Sequence, residues 1–310
     1  NMKILVLGAG AMGGYYGARL IEAGQDVSFL VRERRARQLQ QEGLVIDSAL
    51  GNFAGPVKTL AAGTAIAAGF DLILLACKSY DLDGAIETLK PLTGQNTVIL
   101  PILNGLSTYD SLDATFGRDR ILGGVSYIAT TLEKNGHIQH QGSNDSLSVG
   151  ARASSSENIA RAFHAAIART PGLRQFSDNI DQALWNKWAM IAAGAAVTCL
   201  MRGNIGQILA TAEGESLVRQ AITETTSVAA ASGYPLSQAA LDQMHKLLLS
   251  PASTWEASMA RDIAAGMARL EADAIIGDML TRAQRLGIDL PLMRAAYCHL
   301  QVYEQRQARN

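Results

Sequence analysis

The chain has 310 residues, 48% of them hydrophobic and 18% charged, with a formal net charge of -1. That is the composition of a globular protein of about two domains. The near-neutral balance excludes the electrostatic footprint of a nucleic-acid binder or of a protein held on an acidic membrane. Cys77, Cys199 and Cys298 lie far apart, form no CxxC pair and no zinc spacing, and read as buried thiols in a reducing compartment. The histidines at 137, 140, 164, 245 and 299 show no metal spacing, so they read as structural or surface residues and no metal is expected. The first apolar run starts at Lys3, which leaves no room for a signal peptide. The most apolar stretch, WAMIAAGAAVTCLM at 188–201, is too short to span a bilayer and reads as a buried core helix. The expectation is a cytoplasmic protein with neither nucleic acid nor membrane among its partners.

Taken in chain order, KILVLG (3–8), DVSFLV (26–31), DLILLAC (71–77) and NTVILPILNG (96–105) are continuous apolar runs bounded by turn residues. Strands covered on both faces have this pattern. Between them MGGYYGARLIEAG, ERRARQLQQEG and DLDGAIETLKPL have helical spacing. Together they predict the βαβ series of a doubly wound parallel sheet. The stretch 121–150 alternates more and carries KNG and SND turns, which predicts antiparallel strands. A helix is predicted within 154–172, and LRQF at 173–176 has the character of a short strand. From about Asp178 onward only Ala-rich helices are predicted, separated by RGN, SGYP, SPAST and LGIDLP. The expected organisation is a Rossmann-type α/β domain over 1–178, followed by an all-α domain over 179–310.

GAGAMG fits G-x-G-x-x-G at Gly8, Gly10 and Gly13, between a predicted strand and a predicted helix. The first glycine permits the tight turn, the second lets backbone approach a pyrophosphate, and the third lets helix and strand pack closely. Ala11 and Met12 stand in the first turn of that helix, where unpaired N–H groups and the positive helix end face phosphate. The plain alternative is an ordinary strand–helix turn. NAD proteins carry an acid at the end of the second strand to hold the ribose 2′-hydroxyl. Here that strand ends at Arg32, with Arg34 and Arg35 following. A guanidinium suits a 2′-phosphate, so NADP(H) is expected over NAD(H). The competing reading of these arginines is a solvated helix start.

The stretches KILVLGAGAMGGYYGARLIEAGQDVSFLVR, DLILLACKSYD, ILPILNG, ALWNKWAM and EADAIIGDML occur in that order over nearly the whole chain. They resemble the 2-dehydropantoate 2-reductase (ketopantoate reductase) family. The resemblance implies a dinucleotide-binding domain and a helical domain of the 6-phosphogluconate-dehydrogenase-like kind, with the active site in the cleft between them. It also implies reduction of ketopantoate to pantoate with NADPH, on the way to pantothenate. Lys78 matches a lysine near cofactor and substrate, and Asn104 an asparagine that touches the nicotinamide and substrate region. Lys187 matches the catalytic lysine, Glu271 its acidic partner, and Ser258 resembles a serine that binds the substrate carboxylate. Relatives occur as monomers and as dimers, so a homodimer is compatible with the family.

Read on their own chemistry, these residues leave alternatives open. Lys187 lies between Trp185 and Trp188 at the head of the most apolar helix. Desolvation there lowers a lysine pKa and suits it to protonate a carbonyl oxygen; the alternative is a lysine whose ammonium reaches solvent along the helix. Lys78 and Asn104 follow strands at their carboxyl ends, where open α/β sheets bind ligands, or they belong to a solvated loop and an Asn-Gly turn. Ser258 serves equally as a helix residue bonded to its own backbone. Two departures from the family pattern stand out. Asp262 and Glu271 are nine positions apart where eight are expected; one residue turns a helical side chain by about 100°, so either a loop absorbs the slip or Glu271 is displaced. Ile191 and Ala195 occupy the Lys187 face where pantoate-forming relatives carry asparagine. The expected activity is therefore NADPH-dependent reduction of a small 2-oxo acid, ketopantoate first. The alternatives are a more apolar 2-oxo acid, a related hydroxy-acid or imine reaction, and a catalytically silent NADP-binding sensor.

Overall fold

The apolar runs form parallel strands in a computed structural model that describes residues 1–63, 66 and 69–310. In chain order the elements are β1 (Lys3–Leu7), α1 (Ala11–Glu22), β2 (Asp26–Val31), α2 (Glu33–Glu42), β3 (Leu44–Asp47), β4 (Phe53–Gly55), β5 (Lys58–Ala61), β6 (Leu72–Leu75), α3 (Leu82–Leu89), β7 (Val98–Pro101) and α4 (Ser107–Phe116). There follow β8 (Gly123–Leu132), β9 (Ile138–Gly150), α5 (Glu157–Ile167) and β10 (Leu173–Phe176). Then come only helices: α6 (Ile180–Met201), α7 (Ile205–Leu209), α8 (Gly214–Ala231), α9 (Gln238–Leu248), α10 (Ser258–Ala264), a π-helical turn at Asp273–Gly277, α11 (Asp278–Leu286) and α12 (Pro291–Ala308).

The first sheet has the order β5-β2-β1-β6-β7, all neighbours parallel. β1 sits between β2 and β6, so strand order reverses there and the carboxyl ends of β1 and β6 flank the switch point. Both faces of β1 and β6 are covered, which explains their unbroken hydrophobicity: Ile4, Leu5, Val6 and Leu72 to Leu75 are fully buried. The last apolar run is shorter as a strand than as a stretch of sequence. β7 stops at Pro101; Ile102 still donates its N–H to the Leu75 carbonyl of β6 at 2.8 Å, and the chain leaves the sheet after it.

A second sheet, β10-β9-β3-β4 with β8 on β9, is built around the predicted antiparallel hairpin. β3, β4 and β5 carry at most three consecutive apolar residues, and sequence patterning did not disclose them. α1 packs against strands of both sheets. A Cβ on Gly17 would fall 2.5 Å from the Phe29 ring of β2, and one on Gly14 would fall 2.3 Å from Ile138 Cδ1 of β9. Small residues on two sides of one helix are what this double approach needs. The same helix sends Tyr15 and Tyr16 to Asp145 of β9, whose Oδ2 and Oδ1 accept their hydroxyls at 2.7 and 2.9 Å. Arg174 of β10 donates to both Asp145 oxygens at 2.6 and 2.7 Å. The Asp145 and Arg174 side chains are 0% and 2% exposed, so the charges are paired and hydrogen-bonded as burial demands.

Contacts divide the chain into two compact units, Asn1–Leu103 with Thr108–Asp181, and Asn104–Ser107 with Gln182–Asn310. The division falls inside α6, and the short excursion 104–107 belongs with the helices. The helical unit buries α6 on all sides, with Ala189, Ala192, Ala193, Ala196, Val197 and Cys199 at or near zero exposure. Glu224 of α8 accepts the Leu292 and Met293 N–H groups at 3.1 and 3.0 Å, capping the start of α12. The thiols need a correction: Cys199 is buried and Cys77 half-buried, but Cys298 is exposed. It lies on the outer face of α12, off the stripe Leu292, Met293, Ala296, Leu300 and Tyr303 that is buried. Among the described residues no helix is long and apolar enough to cross a membrane.

Candidate cofactor and active site

The glycine loop lies at the switch point of the first sheet. Gly8 has φ +90°, a conformation that favours glycine, and its N–H bonds the Leu30 carbonyl of β2 at 2.8 Å. Gly10 caps α1 with φ -69° and ψ -173°. The first α1 bond runs from Gly14 N–H to Gly10 O at 2.8 Å, so Ala11, Met12 and Gly13 have no intrahelical partner for their N–H groups. A Cβ on Gly13 would lie 2.8 Å from Gly8 O, 3.2 Å from Val6 Cγ1 and 3.6 Å from Ala76 Cβ, which joins the helix start to the ends of β1 and β6. A Cβ on Gly10 would meet nothing within 4 Å. The loop is thus packed at Gly13 and open at Gly10, with three N–H groups at the helix start that no helical carbonyl takes.

The arginines after β2 separate into two kinds. Arg32 and Arg34 are exposed, Arg32 at the strand end as the cap residue of α2. Arg35 turns inward. Its Nε and Nη2 donate to the Ala9 carbonyl at 3.2 and 2.9 Å, and its Nη1 to Gln38 Oε1 at 2.7 Å and the Gly136 carbonyl at 3.2 Å. Arg35 therefore ties the glycine loop to the tip of the β8–β9 hairpin, a role that three arginines in a row do not reveal in sequence. Desolvation lowers its pKa, with Glu42 opposing. Lys78 stands exposed after β6, three residues past Leu75, which pairs in register with Leu7 just before the glycine loop.

In the helical unit Lys187 and Glu271 act on one another. Desolvation pushes Lys187 down to about 8, and the negative charge of Glu271 pulls it back up. Glu271 is 8% exposed. The residue spacing that put its register in question has a structural answer: α10 ends at Ala264 and residues 265–270 form a loop, so Asp262 and Glu271 do not share one helix. Asn104 is half-buried and its neighbour Gly105 has φ +86°. A Cβ on Gly105 would lie 2.8 Å from the Ala274 carbonyl and 3.9 Å from Trp188 Nε1. Asn104, Lys187 and Glu271 are therefore carried by segments that meet within one unit. Ser258 is half-buried as the first residue of α10. Ile191 is partly buried against the Trp185–Trp188 cluster, and Ala195 is 1% exposed.

A doubly wound sheet with an open glycine loop, followed by a helical unit with a desolvated lysine beside a carboxylate, is the build of a Rossmann-type oxidoreductase. The family model for ketopantoate reductase PanE/ApbA matches residues 4–154, and the model for its C-terminal domain matches 179–304. The chain belongs to the ketopantoate reductase PanE/ApbA family. An uncharacterized oxidoreductase of Bacillus subtilis, YkpB, is 35% identical over 303 residues, 98% of this chain and 99% of its own. A 2-dehydropantoate 2-reductase of Aquifex aeolicus is 26% identical over 300 residues, 94% of this chain and 93% of its own. The crystal structure of a PanE/ApbA family ketopantoate reductase from Ralstonia eutropha superposes with a TM-score of 0.87 at 27% identity, covering 99% of this chain and all of that one.

Proposed function

We propose that this oxidoreductase reduces a small 2-oxo acid with NADPH, ketopantoate first among the candidates. The observation that carries the reading is Lys187, a desolvated lysine with a pKa of about 8 under the influence of Glu271. A group of that acidity is largely an ammonium at neutral pH and gives up its proton readily. NADPH, when bound, supplies the hydride that reaches the carbonyl carbon. Lys187 gives a proton to the carbonyl oxygen, and Glu271 keeps the ammonium charged and oriented. Asn104 orients the reacting groups, and the Ser258 hydroxyl receives the substrate carboxylate. The N–H groups of Ala11, Met12 and Gly13 hold the pyrophosphate over Gly10. Arg32 meets the 2′-phosphate, and Lys78 supplies further positive charge at the end of β6.

A more apolar 2-oxo acid is the second reading, and Ile191 favours it. It stands four residues after Lys187, on the same face, and packs among tryptophans and alanines. A pocket without hydrogen-bond partners at that face discriminates weakly between hydroxylated and purely aliphatic acids. The experiment is NADPH consumption with a panel of 2-oxo acids, ketopantoate included. Turnover that vanishes in Lys187→Ala supports the catalytic reading. NADPH binding without turnover of any acid favours a sensor, and equal use of NADH overturns the role of Arg32.

A further inference from the structure

Three segments carry the residues proposed for chemistry, and they converge on one hydrogen bond. Trp188, next to Lys187, donates its indole Nε1–H to the Ile275 carbonyl at 3.0 Å. Ile275 in turn donates its N–H to the Glu271 carbonyl at 3.1 Å. The backbone there is the π-turn Asp273–Gly277, in which the Asp278 N–H reaches five residues back to the Asp273 carbonyl. Such a turn widens the helix and changes where its carbonyls point. The third segment arrives from the other side. Gly105, next to Asn104, approaches the Ala274 carbonyl so closely that even one methyl would stand 2.8 Å from it. Trp188 itself is 1% exposed, so its N–H must find a partner inside the protein.

We propose that Trp188 is a positioning residue: its hydrogen bond to Ile275 sets the π-turn against α6, and through that turn presents Glu271 to Lys187 with Asn104 alongside. The proposal rests on the reading of Lys187 as the proton donor. Its force comes from connectivity. Lys187 and Trp188 are consecutive, Ile275 is bonded to both Trp188 and Glu271, and Gly105 closes the same junction from the Asn104 side. The charged group acting on Lys187 is Glu271, and the charged group on the tryptophan side is Arg282, whose guanidinium carbon lies 5.4 Å from the Trp188 ring centre. Losing the indole bond frees the π-turn and with it the carboxylate; Arg282, 23% exposed, donates its Nε to Asp278 Oδ2 of its own helix at 3.1 Å.

The test is Trp188→Phe, which keeps an aromatic ring and removes the donor. In the holoenzyme with NADPH, kcat is expected to fall about tenfold with the cofactor Kd unchanged, the loss expected for a buried carbonyl left without its donor. The direct readout is the titration of Lys187 by NMR in protein labelled with 13Cε-lysine, its signal assigned by Lys187→Arg. In Trp188→Phe the titration moves to lower pH than in the wild type, because the carboxylate has withdrawn. A variant that loses thermal stability while the Lys187 titration and kcat stay at wild-type values overturns the proposal. If Trp188→Phe does not fold, Gly105→Ala strains the same junction from the opposite side and must move the titration in the same direction; an unmoved titration there also overturns it. A wild-type enzyme that turns over its substrate without needing Lys187 overturns the functional reading instead. The lysine titration still decides the positioning claim in that case, because it needs no substrate.

Discussion

Gly10 and Gly13 lie three residues apart where the glycine loop enters α1, yet replacing each with alanine should do different things. At Gly13 the new methyl would sit 2.8 Å from Gly8 O and 3.2 Å from Val6 Cγ1. Val6 is fully buried in β1, and Gly8 is backbone held by its N–H bond to the Leu30 carbonyl, so neither yields readily. Overpacking of this kind costs about 1–3 kcal/mol. For a unit of this size that lowers Tm by roughly 2–4 °C per kcal/mol. At Gly10 the methyl meets nothing within 4 Å, and φ -69° suits alanine. The gain from a stiffer unfolded chain, about 0.4–1 kcal/mol, is offset by the poorer helix cap that alanine makes. Stability of Gly10→Ala should therefore stay within about 1 kcal/mol of wild type. Its NADPH affinity should fall at least about tenfold, or 1.4 kcal/mol, because the methyl fills the space over the loop. The assay pairs thermal melts without cofactor with NADPH titration by fluorescence for both variants. A Gly10→Ala protein that binds NADPH as tightly as the wild type would refute the placing of the pyrophosphate there. A Gly13→Ala protein as stable as the wild type would refute the packing argument.

Other expectations follow from single residues. Lys187 must be charged to donate, so the sign is fixed: activity is high below its pKa and is lost as pH rises through about 8. With that ionisation the ammonium is about nine-tenths populated at pH 7 and about one-tenth at pH 9, so kcat should fall about tenfold between them in a pH–rate profile. Arg35→Met removes both donors to the Ala9 carbonyl and the bond to Gly136. It should raise the KM for NADPH by about tenfold or more while leaving kcat near wild type, as initial rates at saturating 2-oxo acid would show. Asp145→Ala leaves Arg174 buried without its carboxylate. Removing one partner of a buried pair costs about 3–5 kcal/mol, measurable as a lower urea midpoint.

The parts of the fold visible in the sequence are those whose signal is local. β1, β2, β6 and β7 are covered on both faces and so leave continuous apolar runs. The β8–β9 hairpin carries its turn residues beside it, and the helices carry their own periodicity. β3, β4 and β5 were invisible because each is only three or four residues long and partly solvent-facing. The parallel pairings of β9 with β3 and with β10 join residues far apart in sequence, which no local pattern announces. At the candidate site, residue type and spacing pointed to Gly8, Gly10, Gly13 and Lys187. They did not separate Arg35 from Arg32, because the difference lies in which way a guanidinium turns. They left two answers for the extra residue between Asp262 and Glu271, a loop or a displaced carboxylate; the chain breaks into a loop there and resumes with a π-turn. Trp188 entered only as an apolar neighbour of Lys187; its indole donor has a partner 87 residues away.

The tongue at 104–107 has a consequence for anyone who would take this chain apart. It is borrowed from the middle of the sheet-bearing half, yet its contacts count it among the helices. Scissors at residue 181 would produce a C-terminal piece that is missing its own Asn-Gly insert, leaving bare the Ala274 carbonyl on which Gly105 rests. Grafting these helices onto a different Rossmann partner would fail for the same reason, unless the new host happened to offer a matching finger after its last parallel strand. The two halves can be exchanged only as a stitched pair.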